Sequence, residues 1–340
     1  AVSVPQEVAI GDFNGDGRQD IVVVSPSNSS HKVSIFLGNG SGGFTGPFWT
    51  IVGTRFNNVA VGDFNGDGRQ DLALVNYWTN TVSICLGDGT GSFVVTTEVG
   101  VGPEPQDVVV GDFNDDGLQD IATANSRNNT ASIRLGDGLG GFSGTTSIPV
   151  GTKPQSMAIG DFNSDGNQDF VTANYGSSTV SLRLGDGAGG FSLTTNIGVV
   201  TGATEVVVGD FNGDGNQDVA TVIPENDKVA IRLGNGAGGF SGTTNLSVGA
   251  DPSGIAIGDF NDDGKLDIAA PNRGFYSNFS NTVSILLGGA AEINLQGNSV
   301  DIADGDNIPS MADHTDFGTV TGVGNEIVRT FTIQNIGTTD

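Results

Sequence analysis

The stretch Asp12 to Asp20 reads Asp-Phe-Asn-Gly-Asp-Gly-Arg-Gln-Asp, and near-copies of it begin at Asp63, Asp112, Asp161, Asp210 and Asp259. Each copy carries oxygen-bearing side chains at positions 1, 3, 5 and 9. These are Asp12, Asn14, Asp16 and Asp20; Asp63, Asn65, Asp67 and Asp71; Asp112, Asn114, Asp116 and Asp120; Asp161, Asn163, Asp165 and Asp169; Asp210, Asn212, Asp214 and Asp218; and Asp259, Asn261, Asp263 and Asp267. Position 7 is Arg18, Arg69, Leu118, Asn167, Asn216 and Lys265 in turn, a variety that makes sense if its backbone carbonyl faces inward. A hard divalent cation needs six to eight oxygens at about 2.3–2.6 Å from a tightly bent chain. Gly at position 6 permits the positive φ of such a bend. Three Asp and one Asn would repel one another in an empty loop, so the spacing predicts six Ca2+ sites, one per loop. A solvated acidic turn is the bland alternative, and four ligand positions kept through six copies speak against it.

Spacing excludes two other calcium designs. An EF-hand loop ends in a bidentate Glu at position 12 and lies between helices, but position 12 here is Val23, Leu74, Thr123, Thr172, Thr221 and Ala270. The β-branched run after each loop, such as Ile21 to Val24, reads as a strand. A nonapeptide β-helix would repeat every nine residues, whereas these loops start 51, 49, 49, 49 and 49 residues apart. That is the period of a four-stranded propeller blade. In the third repeat the four runs are Val108–Gly111, Ile121–Ala124, Ala131–Leu135 and Thr145–Val150, with Gly136-Asp137-Gly138 as a hairpin signal between the last two. The same turn recurs at Asn39, Asp88, Asp186 and Asn235. Phe at loop position 2 (Phe13, Phe64, Phe113, Phe162, Phe211, Phe260) must point away from a metal and reads as inter-blade filling.

The 340-residue chain has 13 Lys and Arg against 39 Asp and Glu, a formal charge of −26. This balance excludes nucleic acid and anionic membrane surfaces as expected partners. Six bound Ca2+ ions would bring the charge to about −14. Cys85, the sole cysteine, lies in the apolar run Val82 to Leu86 and reads as packing. No stretch approaches the apolar length of a membrane span.

Val-Ala-Ile-Gly-Asp-Phe-Asn-Gly-Asp-Gly at residues 8–17, followed by Val33 to Gly40 and Gly42-Gly43-Phe44, resembles the FG-GAP or VCBS-type repeat family. The resemblance covers residues 1–289 and implies an all-β fold, a calcium-bearing β-propeller of the kind found in secreted proteins and integrin α headpieces. It implies adhesion or scaffolding more often than catalysis. Six loops predict six four-stranded blades, with seven as the alternative. The sixth repeat lacks Gly-Gly-Phe after Leu287, so its outer strand is expected from elsewhere, either Glu292–Gln296 or residues before Ala1.

Residues 290–340 lose the period. Ile293 to Asn298, with Ala312 to Gly318 and Arg329 to Asn335, resembles the opening of a choice-of-anchor D Ig-like domain, which at this length is incomplete. The tail reads in three ways: a domain cut at a boundary, a degenerate seventh blade, or strands that pair with a neighbouring molecule.

On the face opposite the calcium loops, Tyr77, Trp78, Tyr175, Phe275, Tyr276 and Phe279 are candidate contacts for a glycan or protein. The plainer account is that they cover loop backbone. Arg134, Arg183 and Arg232 share one repeat position and are expected to form salt bridges to a neighbouring blade. His31 lies in a polar turn and His314 in the tail, and they form no catalytic constellation, so no enzyme activity is expected. The expected function is an extracellular, secreted or cell-surface calcium-stabilised module for adhesion, display or assembly. The alternatives are a glycan-binding accessory domain or polysaccharide-active enzyme, and a surface filament subunit joined through residues 290–340.

Overall fold

Each acidic loop turns one strand back on the next. The strand before it ends in Gly and the strand after it begins with Asp, and these two residues pair in all six copies, from Gly11 with Asp20 to Gly258 with Asp267. The computed structural model describes residues 5–25, 32–51, 56–274, 282–288, 293–297, 300–302 and 331–335. Ala1–Val4, His31, Phe275, Tyr276, Phe279 and His314 lie outside the described residues.

Blade 3 shows the plan. Pro105–Gly111, Asp120–Asn125, Thr130–Gly136 and Phe142–Pro149 form an antiparallel meander in chain order. The fourth strand begins at Phe142, three residues before the sequence places it. The second strand has a neighbour on either edge and other blades against both faces. It is buried at every residue in blades 2 to 5, which explains its unbroken apolar or small-residue runs. Six such blades surround a central channel lined by their first strands. Helix is confined, among the described residues, to one 3-10 turn, Pro224–Asn226.

Blade 6 has three described strands, Ala256–Gly258, Asp267–Asn272 and Thr282–Leu286. The expectation that Glu292–Gln296 would complete it is corrected. Ile293–Gly297 pairs instead with Val300–Ile302 and Phe331–Asn335, in a separate three-stranded sheet. The backbone of Ile293–Gly297 is fully used there as the middle strand.

Blades mate through aromatic edges. The position-2 Phe of one loop meets the hairpin Phe of the next blade: Phe13 with Phe93, Phe64 with Phe142, Phe113 with Phe191 and Phe162 with Phe240, at centroid distances of 5.6, 5.7, 5.8 and 5.5 Å. Around each pair lies one apolar cluster spanning two blades. Cys85 belongs to the cluster between blades 1 and 2, where burial pushes its thiol up to about 12, in keeping with its reading as core. Truncating a buried aromatic leaves a cavity that neighbours cannot fill. Phe113→Ala should therefore cost about 3–5 kcal/mol in a denaturant melt, whereas exposed Leu139→Ala should stay within about 0.5 kcal/mol.

Candidate functional site

In the first loop the Asp16 N–H donates to both Asp12 Oδ1 (3.1 Å) and Asn14 Oδ1 (3.0 Å), and the Gly17 N–H donates to Asp12 Oδ2 (2.7 Å). Arg18 N–H donates to Asp16 Oδ1 at 2.9 Å, and Asn14 Nδ2 donates to Asp16 Oδ2 at 3.1 Å. The position-1 and position-3 oxygens thus share the position-5 amide, and the position-5 carboxylate accepts the amide of position 7. The same bonds recur in the loops starting at Asp63, Asp112, Asp161, Asp210 and Asp259. Position-7 side chains turn outward: Arg18 and Arg69 are half-exposed and reach Asp16 and Asp67 at 3.5 and 3.6 Å. Such exposed pairs add at most about 1 kcal/mol.

Position 6 has φ between +79° and +88° in all six loops, and a Cβ there would meet nothing within 4 Å. Glycine is required by the backbone angle alone. Position 4 is left-handed too, although it is Asp115, Ser164 and Asp262 in three loops.

Position 9 is where the loop joins the blade. Asp20 is fully buried, and its carboxylate accepts the Phe13 N–H at 2.9 Å and the Gly38 N–H at 2.7 Å. Asp71, Asp120, Asp169, Asp218 and Asp267 make the same two bonds, tying the loop to the end of the third strand. Burial is the main cause lifting Asp120 and Asp169 to about 6. Their backbone bonds oppose the rise, and the loop's other two carboxylates add to it.

Position 8 has a role that sequence reading missed. Gln119 Oε1 accepts the Asp63 N–H of the preceding blade at 2.6 Å. A Cβ on Gly62 would lie 2.2 Å from that oxygen, and Gly11 and Gly111 stand equally close to Gln70 and Gln168. The glycine before each of these loops leaves room for the next blade's glutamine.

Among the described residues, no three His, Cys, Asp or Glu side chains make a ready cation cage. The donor set is nonetheless all hard oxygen. A loop cation would draw on the Asn side chain, the position-7 carbonyl and the carboxylate lone pairs that the amides leave free.

FG-GAP-like repeats match residues 12–74, 63–123, 112–172, 161–221 and 210–270, each running from the first residue of one loop through the next. The chain belongs to the FG-GAP-like repeat family. Solved structures with similar folds include a protein of unknown function from Desulfotomaculum acetoxidans (12% identity, 83% of this chain and 88% of that one, TM-score 0.61). A Bacteroides uniformis protein provisionally named a 6-phosphogluconolactonase is 15% identical over 83% of this chain and 80% of that one, with TM-score 0.62. An Agrocybe aegerita lectin that recognises non-reducing terminal N-acetylglucosamine is 19% identical, covering 83% and 80%, with TM-score 0.54. At these identities the likeness concerns the fold. A search of curated proteins finds no match.

The FG-GAP blades also build a channel that the loop motif does not announce. The residue five before each loop is Glu7, Asn58, Asp107, Ser156, Glu205 and Gly254 in blades 1 to 6, so carboxylates alternate with neutral residues. Five of these six residues line a cavity of about 390 Å³, and Arg273 of blade 6 lines it too. Burial, as the largest cause, raises Glu7 to about 7, Asp107 to about 6 and Glu205 to about 8. The charges of Glu7 and Asp107 raise Glu205 further. Asp107 accepts the Met157 N–H of the next blade at 2.8 Å, and Asn57 turns a buried Oδ1 without a hydrogen-bond partner toward this part of the fold.

On the opposite face, Tyr77 and Trp78 meet edge to face at 4.9 Å, and Trp78 is exposed. Tyr175 lies two blades away with its hydroxyl donated to Glu225 at 2.7 Å, which raises its pKa. The described aromatics form one pair and one separate residue rather than a single patch.

The expected salt bridges of Arg134, Arg183 and Arg232 are corrected. Each guanidinium donates to a backbone carbonyl at the end of the preceding blade's fourth strand: Gly100 at 2.8 Å, Pro149 at 2.9 Å and Gly198 at 3.3 Å. Among the described residues, no carboxylate lies within ion-pair distance of these three guanidinium groups.

A side chain forced into the left-handed region costs about 1–2 kcal/mol. Gly117→Ala should lower stability by that amount, and Ser164→Gly should not, as compared by denaturant midpoint. The channel carboxylates hold protons in the fold that they release when unfolded. Their contribution to stability is therefore full below about pH 4 and lost as pH rises toward 8. Melting temperature measured across that window should fall less steeply in Glu205→Gln.

Proposed function

We propose that the chain is an extracellular propeller whose six loops bind Ca2+ and whose role is adhesion, display or assembly. The observation that carries this reading is the sixfold recurrence of one oxygen set, converged by shared amides and closed by a buried Asp. A cation at each loop would offset three carboxylates held close together. The thirty predicted residues, with position 7 contributing its carbonyl, are the proposed ligands.

Calcium at tenfold its dissociation constant stabilises a fold by about 1.4 kcal/mol per site, so six independent sites would supply roughly 8 kcal/mol. That rivals the whole net stability of an ordinary domain, about 5–15 kcal/mol. Extracellular calcium modules bind at about 10⁻⁴–10⁻³ M, concentrations that the cytosol does not provide. Localisation outside the cell follows from the proposed site chemistry.

FG-GAP propellers are mostly structural or binding modules, and non-enzymatic binding of a protein or glycan is the preferred role. A second reading, a polysaccharide-active enzyme, is favoured by the channel, because partly buried carboxylates with raised pKa values are suited to acid–base work. Turnover of acidic polysaccharides that is lost in Glu205→Gln would establish that reading.

Adding 5 mM Ca2+ to chelated protein should raise the melting temperature by many degrees, and Asp112→Ala with Asp116→Ala should remove about one sixth of the gain. An identical melt in excess chelator would remove the basis for both calcium and an extracellular location.

A further inference from the structure

Five apolar clusters join blade 1 to 2, 2 to 3, 3 to 4, 4 to 5 and 5 to 6, and among the described residues none joins blade 6 to blade 1. The faces that would form the sixth are bare. Val283 and Ile285 on the third strand of blade 6 are 59% and 50% exposed, whereas the residues at those two positions in the other five blades are at most 3% exposed. Phe260 is 50% exposed, and its counterparts are at most 4% exposed. Across the seam, Val8, Ile10 and Phe44 of blade 1 are also largely exposed. By the pattern of the other seams, Phe260 would stack on Phe44, and no such contact forms.

We propose that this seam is filled by the chain's own C-terminal sheet, Ile293–Gly297, Val300–Ile302 and Phe331–Asn335, acting as a partial blade. Three observations select this occupant. The chain leaves blade 6 at Gly288, held to the Asp267 carboxylate at 2.7 Å, so the tail begins beside the open face. Only four residues separate Gly288 from Ile293, which tethers the sheet within about 18 Å at an extended reach of 3.3–3.6 Å per residue. The sheet is antiparallel and blade-like in size, and its strands alternate in sequence as Ile293 and Leu295, Val300 and Ile302, and Phe331 and Ile333. Such alternation is what a sheet with one buried face requires. Its strand order, with the earliest strand in the middle, differs from the meander of the six repeats. The sheet therefore covers the seam without repeating the blade plan.

The test compares the full chain with a chain ending at Gly288, each with and without Val283→Lys, in saturating Ca2+, by light scattering and thermal melt. The full chain should be monomeric and lose several degrees on Val283→Lys, because the lysine would be buried under the tail. The shortened chain should melt lower, bind an apolar dye, and be indifferent to Val283→Lys. Equal losses in both backgrounds would mean that blade 6 closes directly on blade 1, and would overturn the proposal. A negligible loss in both would leave the seam open and also overturn it. A full-length dimer that dissociates with Val283→Lys would assign the seam to a second copy instead. Should the shortened chain fail to fold, Val283→Lys and Leu295→Asp are combined in the full chain. A shared contact predicts a joint loss smaller than the sum, and strict additivity would overturn the assignment.

Discussion

One buried carboxylate per blade organises the propeller. The ninth residue of each acidic loop starts the second strand, and its two oxygens accept one amide from the loop and one from the end of the third strand. Burying a carboxylate is costly unless its oxygens are engaged. Here both are, and the elements they engage lie 7 residues before and 16 to 21 residues after the aspartate. Strands one to three are thereby locked at their loop-bearing end before any neighbour is needed. The rest of the blade hangs from that point.

From this anchor, contact passes sideways. The carbonyl of Phe13 accepts the Gly91 N–H of blade 2 at 2.9 Å, and the same bond recurs from Phe64 to Gly140, Phe113 to Gly189 and Phe162 to Gly238. Gln119 reaches back to the Asp63 amide, so neighbouring loops brace each other in both directions. At the other end of the blade, Asn125 and Asn174 bind the hydroxyls of Thr130 and Ser132, and of Thr179 and Ser181, in buried networks. Blade 5 carries Ile223 and Ala230 at the Asn and Ser positions, both fully buried. Blade 5 thus replaces the polar network by apolar residues, whereas blade 1 carries Ser25 at the Asn position, a buried hydroxyl without a hydrogen-bond partner among the described residues, where such a network is costly.

Much of this was legible in the chain because it repeats. Loop, hairpin and aromatic positions stand out when six copies agree, and they led to the blade, its period and its Phe–Phe seams. What repetition hides is variation at one position. Glu7, Asn58, Asp107, Ser156, Glu205 and Gly254 look like an unconstrained site along the sequence, and only the ring brings the first five of them to one cavity. Position 8 carries no signal in the sequence because its partner, where Gln119 meets the Asp63 amide, is the backbone of another blade 56 residues away. The arginines were paired with carboxylates because charge is visible in a sequence, whereas a strand-end carbonyl is common to every residue. The tail gave no period to follow, so its pairing of Ile293–Gly297 with Phe331–Asn335 could not be read from spacing.

The channel carries a further consequence for how such a ring can change. Its acids stand on blades 1, 3 and 5, so its electrostatic unit is two blades although its structural unit is one. Removing blade 2 or blade 4 alone would bring two carboxylates onto adjacent blades, where each already resists ionising. Loss or gain of an adjacent pair preserves the alternation. The inner wall thus has a two-blade charge repeat that the outer surface, with its six equal loops, does not share.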